Sequence, residues 1–444
     1  MVINIPPQVK TAIEILEKNG HSAYVVGGAV RDAVMGKPAN DWDITTSALP
    51  EETISAFKDF RVIETGLKHG TVTVMIEKTP IEITTYRIEY GYSDNRHPDR
   101  VDFTDRVEDD LSRRDFTVNA IAYSPQRGFA DPFEGKKDIE KKIIRCVGEA
   151  DRRFGEDALR ILRALRFSSV LGFEIESETA DSIRRNYTLL KNISVERIFV
   201  ELSKLICGVD AGRILREYEE VFFFILPEIK SMKNCTQNHE RHIFDVWGHT
   251  IKAVENVRPI PGLRFAILLH DSGKPQCKTT DENGTDHFYN HAKVSRKIAE
   301  SVFTRLKTST AFKNRVCDLV EYHDFLPDKI SKKTYKKYIA KLGYGTVKDL
   351  FEIRKADISA QNPKFFDEEI IRNGYGLKIL EEIESEDKCF KVTDLAISGR
   401  DITALGVKPS PETGKILEKL LDEVMDEEIE NTREALIERA MRLI

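Results

Sequence analysis

The segment VVGGAVRDAVMGKPANDWDITT, residues 25 to 46, sets Gly27 and Gly28 directly after an apolar β-forming run. Asp41 and Asp43 follow, one residue apart, at the start of another such run. Alternate residues of a strand share a face. The spacing predicts that Asp41 and Asp43 point the same way, with Trp42 and Ile44 facing the core. Two carboxylates that close repel, and a cation must hold them. Mg²⁺, a hard ion that takes oxygen ligands and is commonly shared with phosphates, meets that need. Paired glycines let backbone approach a triphosphate without side-chain obstruction. The segment AVRDAVMG then opens as a helix whose N-terminus could face phosphates. The bland alternative is a surface strand with two solvated aspartates behind a plain turn. It would prevail for a bare Asp-x-Asp, but the glycine pair upstream weighs against it.

Other residues carry chemistry by type and spacing. In RRDFTVNAIAY (113 to 123), a helix would bring Asp115 and Asn119 to one face, where a carboxylate and an amide can bind sugar hydroxyls. Arg113 and Arg114 beside them can clamp a phosphate. A capped helix with solvated arginines is the alternative. In GEDALRILRALRFSSVLGF (155 to 173), Asp157 and Arg160 stand three apart on an expected helix. Alone, such a couple is a surface ion pair worth under about 1 kcal/mol. A further set lies between residues 249 and 357: His249, His270 with Asp271, His291, His323 and Asp357. An adjacent His-Asp with distant His and Asp is the pattern of metal phosphohydrolases of the HD type. Imidazole and carboxylate together suit Mn, Ni, Fe or Mg, and metal-bound hydroxide attacks phosphoesters. Packed or exposed histidines in a helical domain without metal are the alternative.

These residues need elements to position them. SAYVVGG, DWDITT, FRVIET, GTVTVMI and IEITTYR are rich in β-branched and aromatic residues and are broken by Gly, Asp or Pro. From about residue 138 the apolar period turns helical. The fold class is therefore α+β: a head with a small sheet followed by a mostly helical body. The 444 residues suffice for several domains, with 41% apolar and 32% charged residues, as in ordinary globular chains. No apolar run approaches the roughly 20 residues of a membrane span, and the N-terminus lacks the pattern of a secretory signal. Six scattered cysteines without a Cys-x-x-Cys pair imply a reduced, cytoplasmic protein. With a net charge of −6, any polyanion must be met by local patches. KISKKTYKKYIAKLGYGTVK (329 to 348) has seven lysines and no acid, with tyrosines interleaved. Lys332, Lys333, Lys336 and Lys337 are its candidate RNA contacts; a solvated helix face is the alternative.

The strand, Gly-Gly and Asp-x-Asp order resembles the polymerase-β nucleotidyltransferase superfamily. The fuller string is similar to the first motif of bacterial class II tRNA nucleotidyltransferases, the CCA-adding enzymes, and of their poly(A) polymerase relatives. TGLKHGTVTV, IEITTYR, RRDFTVNAIAY, GEDALRILRALRFSSVLGF and ISVERIFVELSKLI (193 to 206) resemble further pieces in the same order. The resemblance implies a polymerase-β-like head at 1–137, a helical nucleotide-selecting neck at 138–225, an HD-type domain at 226–360 and a tRNA-binding tail at 361–444. It implies CCA addition to tRNA from CTP and ATP, with catalytic Asp41, Asp43 and Glu82 and Mg²⁺ on the aspartates. Gly27, Gly28, Arg31, Asp32, Arg114, Asp115, Asn119, Asp157, Arg160 and Arg163 would bind nucleotide. Asp157 and Arg160 would offer their edges to the incoming base in place of a template. The polar stretch 86 to 103 reads as a loop that helps the site change from C to A, and its full length argues for all three additions. His249, His270, Asp271 and Asp357 would hold a second divalent, transition-type metal for phosphatase or cyclic phosphodiesterase activity. LAISGRDITALGVKPSPETGKILEKLL (395 to 421) resembles the tRNA-contacting tail. A poly(A) polymerase, or an enzyme adding only CC or only A, is the alternative. The acidic C-terminus, LLDEVMDEEIENTREALIERAMRLI, argues against the basic extension usual in the former. Oligomeric state is not legible.

Overall fold

Alternating apolar and polar residues build the head sheet. In the computed structural model, which describes residues 2–39, 41–92, 98–324, 331–386 and 391–444, Val72, Val74 and Ile76 of one strand and Ile81 and Ile83 of the next turn into the core. Asn40, Arg96, Lys329 and Cys389 lie outside the described residues. The chain divides into two compact units, Met1–Pro227 and Glu228–Ile444.

In the first unit the strands are β1 (Ala23–Val26), β2 (Asp43–Thr46), β3 (Arg61–Ile63), β4 (Thr71–Ile76), β5 (Thr79–Thr85), β6 (Arg87–Tyr90), β7 (Arg100–Phe103), β8 (Ala122–Ser124), β9 (Gly128–Ala130), β10 (Ile143–Ile144) and β11 (Glu174–Ile175). Seven of them form one sheet in the order β3-β4-β5-β2-β1-β8-β9. Only the β2–β5 pairing in that sheet is parallel. Its helices are α1 (Pro7–Lys18), α2 (Gly28–Val34), α3 (Pro50–Ala56), α4 (Val107–Ser112), α5 (Gly135–Lys141), α6 (Ala150–Glu156), α7 (Leu159–Leu171), α8 (Ser177–Asn186), α9 (Val195–Ile206), α10 (Ala211–Glu217) and α11 (Glu219–Ile225). The apolar stripes of α7 and α9 pack on each other through buried Leu162, Leu165, Leu202 and Leu205.

The second unit is mostly helical, with one short antiparallel ribbon, β12 (Thr279–Thr280) and β13 (Asp286–His287); its helices are α12 (Val246–Asn256), α13 (Pro261–Leu269), α14 (Lys274–Cys277), α15 (His291–Arg305), α16 (Thr310–Glu321), α17 (Lys332–Leu342), α18 (Tyr344–Ser359), α19 (Phe366–Glu386), α20 (Gly399–Ala404), α21 (Pro411–Met425) and α22 (Arg433–Leu443). α12, α13, α16 and α18 pack together, whereas Leu395, Ile402, Leu420 and Leu436 belong to a separate small core around α20, α21 and α22. Among the described residues, no helix is long and apolar enough to cross a membrane.

Four local expectations change. β2 begins at Asp43, so Asp41 precedes the strand, and Trp42 is half-buried rather than in the core. Residues 115 to 123 form a 3₁₀ turn at Thr117–Asn119 and then β8, not an α-helix. Asp157 sits between α6 and α7 with extended backbone, φ −135° and ψ 102°, so it does not share a continuous helix with Arg160. The stretch 86 to 103 is not all loop: β6 and β7 pair antiparallel from Arg87↔Phe103 to Tyr90↔Arg100. Its polar residues alternate with Ile88, Val101 and Phe103, which is what a two-stranded ribbon needs.

α5 holds the 3₁₀ turn in place. Thr117 Oγ1 donates to Asp138 at 2.7 Å, and Arg145 Nε donates to the same carboxylate at 3.1 Å. A Cβ on Gly135 would lie 2.2 Å from Thr117 O and 2.7 Å from Ile121 Cγ1, so the helix rests on the turn through a missing side chain. Gly135→Ala should therefore destabilise the protein by about 2 kcal/mol, the usual scale of overpacking. Thermal unfolding reads this as a lower Tm; an unchanged Tm would remove α5 as the support of the turn.

Candidate active site and candidate metal centre

Strand register assembles the head site. The β2–β5 pairing matches Ile44 with Ile83, which sets Asp43 beside Glu82 at the preceding position of each strand. The β1–β2 pairing matches Val26 with Asp43, so Gly27 leaves the sheet at the same end. Asp41, Asp43 and Glu82 are all exposed as residues. Even so, surrounding protein crowds the Asp43 carboxyl: burial raises its pKa most, Glu82 and Asp41 add to the rise, and Arg114 opposes it. The donors are all carboxylate oxygens, the set that suits a hard divalent ion. They are spread more widely than the histidine groups of the second unit, whose ligand atoms lie within 4.8 Å of one another.

Gly27 has φ +78°, and a Cβ there would approach Arg114 Nη1 to 3.2 Å. The turn thus keeps a guanidinium against bare backbone. The helix expected after the glycine pair is α2, which spans seven residues with Gly27 at its N-cap, and Gly27 N–H donates to Ile121 O at 3.3 Å.

A buried network links this turn to the helices. Arg31 donates to Asp32 at 2.9 Å and to Asn119 Oδ1 at 2.7 Å. Asn119 Nδ2 donates to Asp115 Oδ1 at 3.0 Å, and Arg163 Nε donates to Asp115 Oδ2 at 2.8 Å. The Asp115–Asn119 contact that a helix was expected to make is made by the 3₁₀ turn. Burial alone would raise the Asp115 carboxyl, but Arg163 and the Asn119 bond overcome it and hold it at about 2. The guanidinium groups of Arg31, Arg163 and Arg166 lie over one ring, Phe167, at 5.2, 5.4 and 4.0 Å.

The main-chain carbonyls of Arg113 and Arg114 anchor the segment from Arg153 to Arg160. Arg160 Nη2 donates to Arg113 O at 3.0 Å, and Arg153 Nη2 donates to Arg114 O at 2.9 Å. Arg160 Nη1 also donates to Arg153 O at 3.2 Å and to Glu156 at 3.0 Å. Three of its five N–H groups are engaged, and two remain. Asp157 does not pair with Arg160. Its Oδ1 accepts from Leu159 N at 3.0 Å, and its Oδ2 meets Arg197 at 3.4 Å. Arg113 itself pairs with Asp110 and with Glu89 of β6.

In the second unit, the sequence-predicted histidines and aspartates converge. His249 Nε2 lies 2.9 Å from Asp357 and 3.7 Å from Asp271; His270 Nε2 lies 3.2 Å from Asp271 and 3.6 Å from Asp357. Asp271 and Asp357 are buried, and although burial alone would raise them, both carboxyls stay well below the usual range. His270 and Lys274 do this for Asp271, and His249 and His270 for Asp357. Burial depresses His270, yet the two carboxylates raise it to about 10. Arg354 and Gln361 donate to Asp357 Oδ2 at 3.1 and 2.9 Å, fixing that carboxylate. The ligand types and their burial fit a divalent ion of the transition series.

The lysine stripe is mostly committed within the protein. Lys332 lies 3.5 Å from Glu382, Lys333 pairs with Asp426, and buried Lys336 pairs with Glu427 at 3.1 Å. Glu382 of α19 and the acidic C-terminal segment supply these partners from far along the chain, which a local charge count misses. Lys337 remains exposed.

A carboxylate pair at a sheet end, backed by a Gly-Gly turn and an arginine network, defines a nucleotidyltransferase head. The family described as the poly A polymerase head domain matches residues 23–145. That of the probable RNA- and SrmB-binding site of polymerase A matches 172–233, and that of tRNA nucleotidyltransferase domain 2 (putative) matches 279–440. The CCA-adding enzyme of Ligilactobacillus salivarius is 33% identical over 457 residues, covering 100% of this chain and 99% of its own. That of Geobacillus thermodenitrificans is 49% identical over 212 residues, 47% of this chain and 52% of its own. The crystal structure of the Bacillus stearothermophilus CCA-adding enzyme with CTP superposes with a TM-score of 0.76 at 28% identity, over 99% of this chain and 98% of that one. The chain belongs to the CCA-adding enzymes, template-independent nucleotidyltransferases that act on the 3' end of tRNA and use divalent metal. The poly(A) polymerase alternative is not favoured, since the full-length relatives are CCA-adding enzymes.

Several residues at the site carry no local signal: Glu89, Arg153, Arg197 and the shared ring of Phe167. Glu156, adjacent to Asp157, was visible in the motif but its bond to Arg160 was not. One consequence of the network is measurable. The carboxyl of Asp115 is depressed in the folded state, so its stabilisation is fully present above about pH 4 and declines as pH falls towards 2. Asp115→Asn should cost about 2 kcal/mol near neutral pH, and urea unfolding should show that gap narrowing by about 1 kcal/mol between pH 5 and pH 3. A gap independent of pH would mean that the ion pair is not its source.

Proposed function

We propose that the head builds the 3'-CCA of tRNA from CTP and ATP, with Asp41 and Asp43 as Mg²⁺ ligands and Glu82 as the third carboxylate. The carrying observation is the register that sets Asp43 beside Glu82 next to the Gly27–Gly28 turn and Arg114. Magnesium there supplies positive charge for attack of the tRNA 3'-hydroxyl on the α-phosphorus and for departure of pyrophosphate. Gly27 and Gly28 leave room for the triphosphate, and Arg114 offsets its charge. Arg31, Asp32, Asn119, Asp115 and Arg163 form the frame that holds the nucleotide's sugar and phosphates. Asp157 and Arg160 read the base: Asp157 accepts from an exocyclic amine, and the free N–H groups of Arg160 donate to the neighbouring acceptors. On the Watson–Crick edge, cytosine and adenine both show an amine beside a ring-nitrogen acceptor, whereas guanine and uracil show a ring N–H donor there. Glu156 fixes Arg160 from behind.

The remaining assignments follow the same reading. The chain is parsed as head 1–137, neck 138–225, HD-type domain 226–360 and tail 361–444, acting in the cytoplasm. Lys337 and the 395–421 segment contact tRNA backbone. His249, His270, Asp271 and Asp357 hold a divalent transition metal and serve phosphoester hydrolysis, a second reading favoured by their buried convergence.

The test is single-nucleotide incorporation into tRNA lacking its last three nucleotides, with each labelled NTP in turn. The wild-type chain should take CTP twice, then ATP. Asp43→Ala should lose at least about a hundredfold for both, as removal of a charge-stabilising group commonly does. Asp157→Ala should lose CTP and ATP use while UTP and GTP fall less or rise, because uracil then no longer faces a repelling carboxylate. Full retention of the CTP preference in Asp157→Ala would return that residue to a helix-linking role.

A further inference from the structure

Asp110 of α4 is 0% exposed. A carboxylate so placed is stable only where donors surround it. Its Oδ1 accepts from Arg113 Nε at 2.9 Å, with Nη2 of the same guanidinium at 2.8 Å. Its Oδ2 accepts from Thr45 Oγ1 at 3.1 Å and from Arg114 Nη2 at 3.4 Å. Burial alone would raise this carboxyl, but Arg113 and Arg114 hold it below its usual range. Asp110 is thus an anion that joins one strand to two arginines.

The strand is β2. Thr45 comes two residues after Asp43, so the two side chains share a strand face, and Asp110 is bonded to β2 on the face that carries Asp43. The two arginines differ in how they are held. Arg113 pairs with both Asp110 and Glu89, so it keeps a partner without Asp110. Among the described residues, Asp110 is the one carboxylate that pairs with Arg114. Arg114 Nε is buried and has no hydrogen-bond partner among them. A guanidinium has five N–H groups. A single 3.4 Å bond from Nη2 leaves most of those of Arg114 for a ligand. Its Nη1 stands 3.2 Å from where a Cβ on Gly27 would lie, and its charge reaches the Asp43 carboxyl.

We propose that Asp110 is a positioning residue for the outer phosphates of the nucleotide: bonded to Thr45, it holds the Arg114 guanidinium against the Gly27 turn at a fixed place relative to β2. This rests on the triphosphate reading of Gly27, Gly28 and Arg114, and it names what fixes that arginine. The α-phosphorus must lie at Asp43. The β- and γ-phosphates then fall to the neighbouring strand end, where Gly27 leaves β1. A free arginine side chain loses rotamer freedom when it grips a phosphate, whereas one held beforehand loses little. Fully buried, Asp110 touches no ligand itself. Its bond to Arg114 is longer than its 2.8 and 2.9 Å bonds to Arg113, so Arg114 is aimed without being neutralised.

The test compares CTP with CMP, which share base, ribose and α-phosphate and differ by the two outer phosphates. Calorimetry on the full chain with Mg²⁺ and without tRNA measures both affinities. Asp110→Asn should weaken CTP about tenfold, the scale of one charge-assisted hydrogen bond, and leave CMP within about twofold. Thr45→Val keeps the shape of the side chain and the ion pairs but removes the bond to β2. It should weaken CTP about threefold, the scale of a neutral hydrogen bond, with CMP again unmoved. In an Arg114→Met background neither change should weaken CTP further, because the group they position is gone. Circular dichroism checks folding, and Thr45→Val carries the test if Asp110→Asn fails to fold. Equal losses for CTP and CMP, or losses that persist in the Arg114→Met background, overturn the proposal. If Arg114→Met itself keeps the full preference for CTP over CMP, the triphosphate reading of Arg114 fails, and the proposal with it. If Arg114→Met loses that preference while Asp110→Asn and Thr45→Val keep it, only the role of Asp110 falls.

Discussion

The first unit depends on one buried carboxylate. Asp115 is 8% exposed and stands between Asn119 of the sheet-side turn and Arg163 of α7. A lone ion in such a place would be costly, and the cost is met only because every lone pair finds a donor. The main-chain N–H of Phe116 completes the set at 2.9 Å. Through Asn119 the carboxylate fixes Arg31, and through Arg163 it joins the three guanidinium groups that lie over the Phe167 ring. The carboxylate end of the sheet and the Asp157–Arg160 segment are thus held in one register by side chains, without a continuous helix between them.

That arrangement supports the proposal that base choice resides in a protein surface. Hydrogen bonds discriminate only when their donors and acceptors cannot turn to suit the wrong base. Arg160 is bonded to two main-chain carbonyls and to Glu156, and Asp157 is fixed by the break between α6 and α7. The break, which interrupts an otherwise uniform helical pattern, frees Asp157 from pointing along α7. The β6–β7 ribbon adds Glu89 to Arg113, tying the same loop from the other side.

Much of this was legible in the residues. The Gly-Gly and Asp-x-Asp spacing, the alternation of β4 and β5, and the scattered His and Asp of the second unit all declare themselves locally, because their periodicity or pairing is written over a few positions. What was not legible required distant partners. Asp157 and Arg160 sit at helical spacing, but a tertiary clamp from Arg113 O and Arg197 decides their backbone. Lys332, Lys333 and Lys336 look like a basic stripe until Glu382, Asp426 and Glu427 arrive from up to about ninety residues away. His291 and His323 read as members of one constellation. That they face one oxygen of Asp271 while His249 and His270 face the other appears only in three dimensions.

The central claim is that Asp115 and Arg163 act as one unit in placing the nucleotide. A double-mutant cycle on kcat/KM for CTP, with Asp115→Asn, Arg163→Met and the pair, tests it directly. The account predicts strong coupling, with the double variant little worse than the poorer single and an interaction energy of at least about 1.5 kcal/mol, as for charge-assisted bonds. Additive losses would contradict it and separate the two residues into independent contributors.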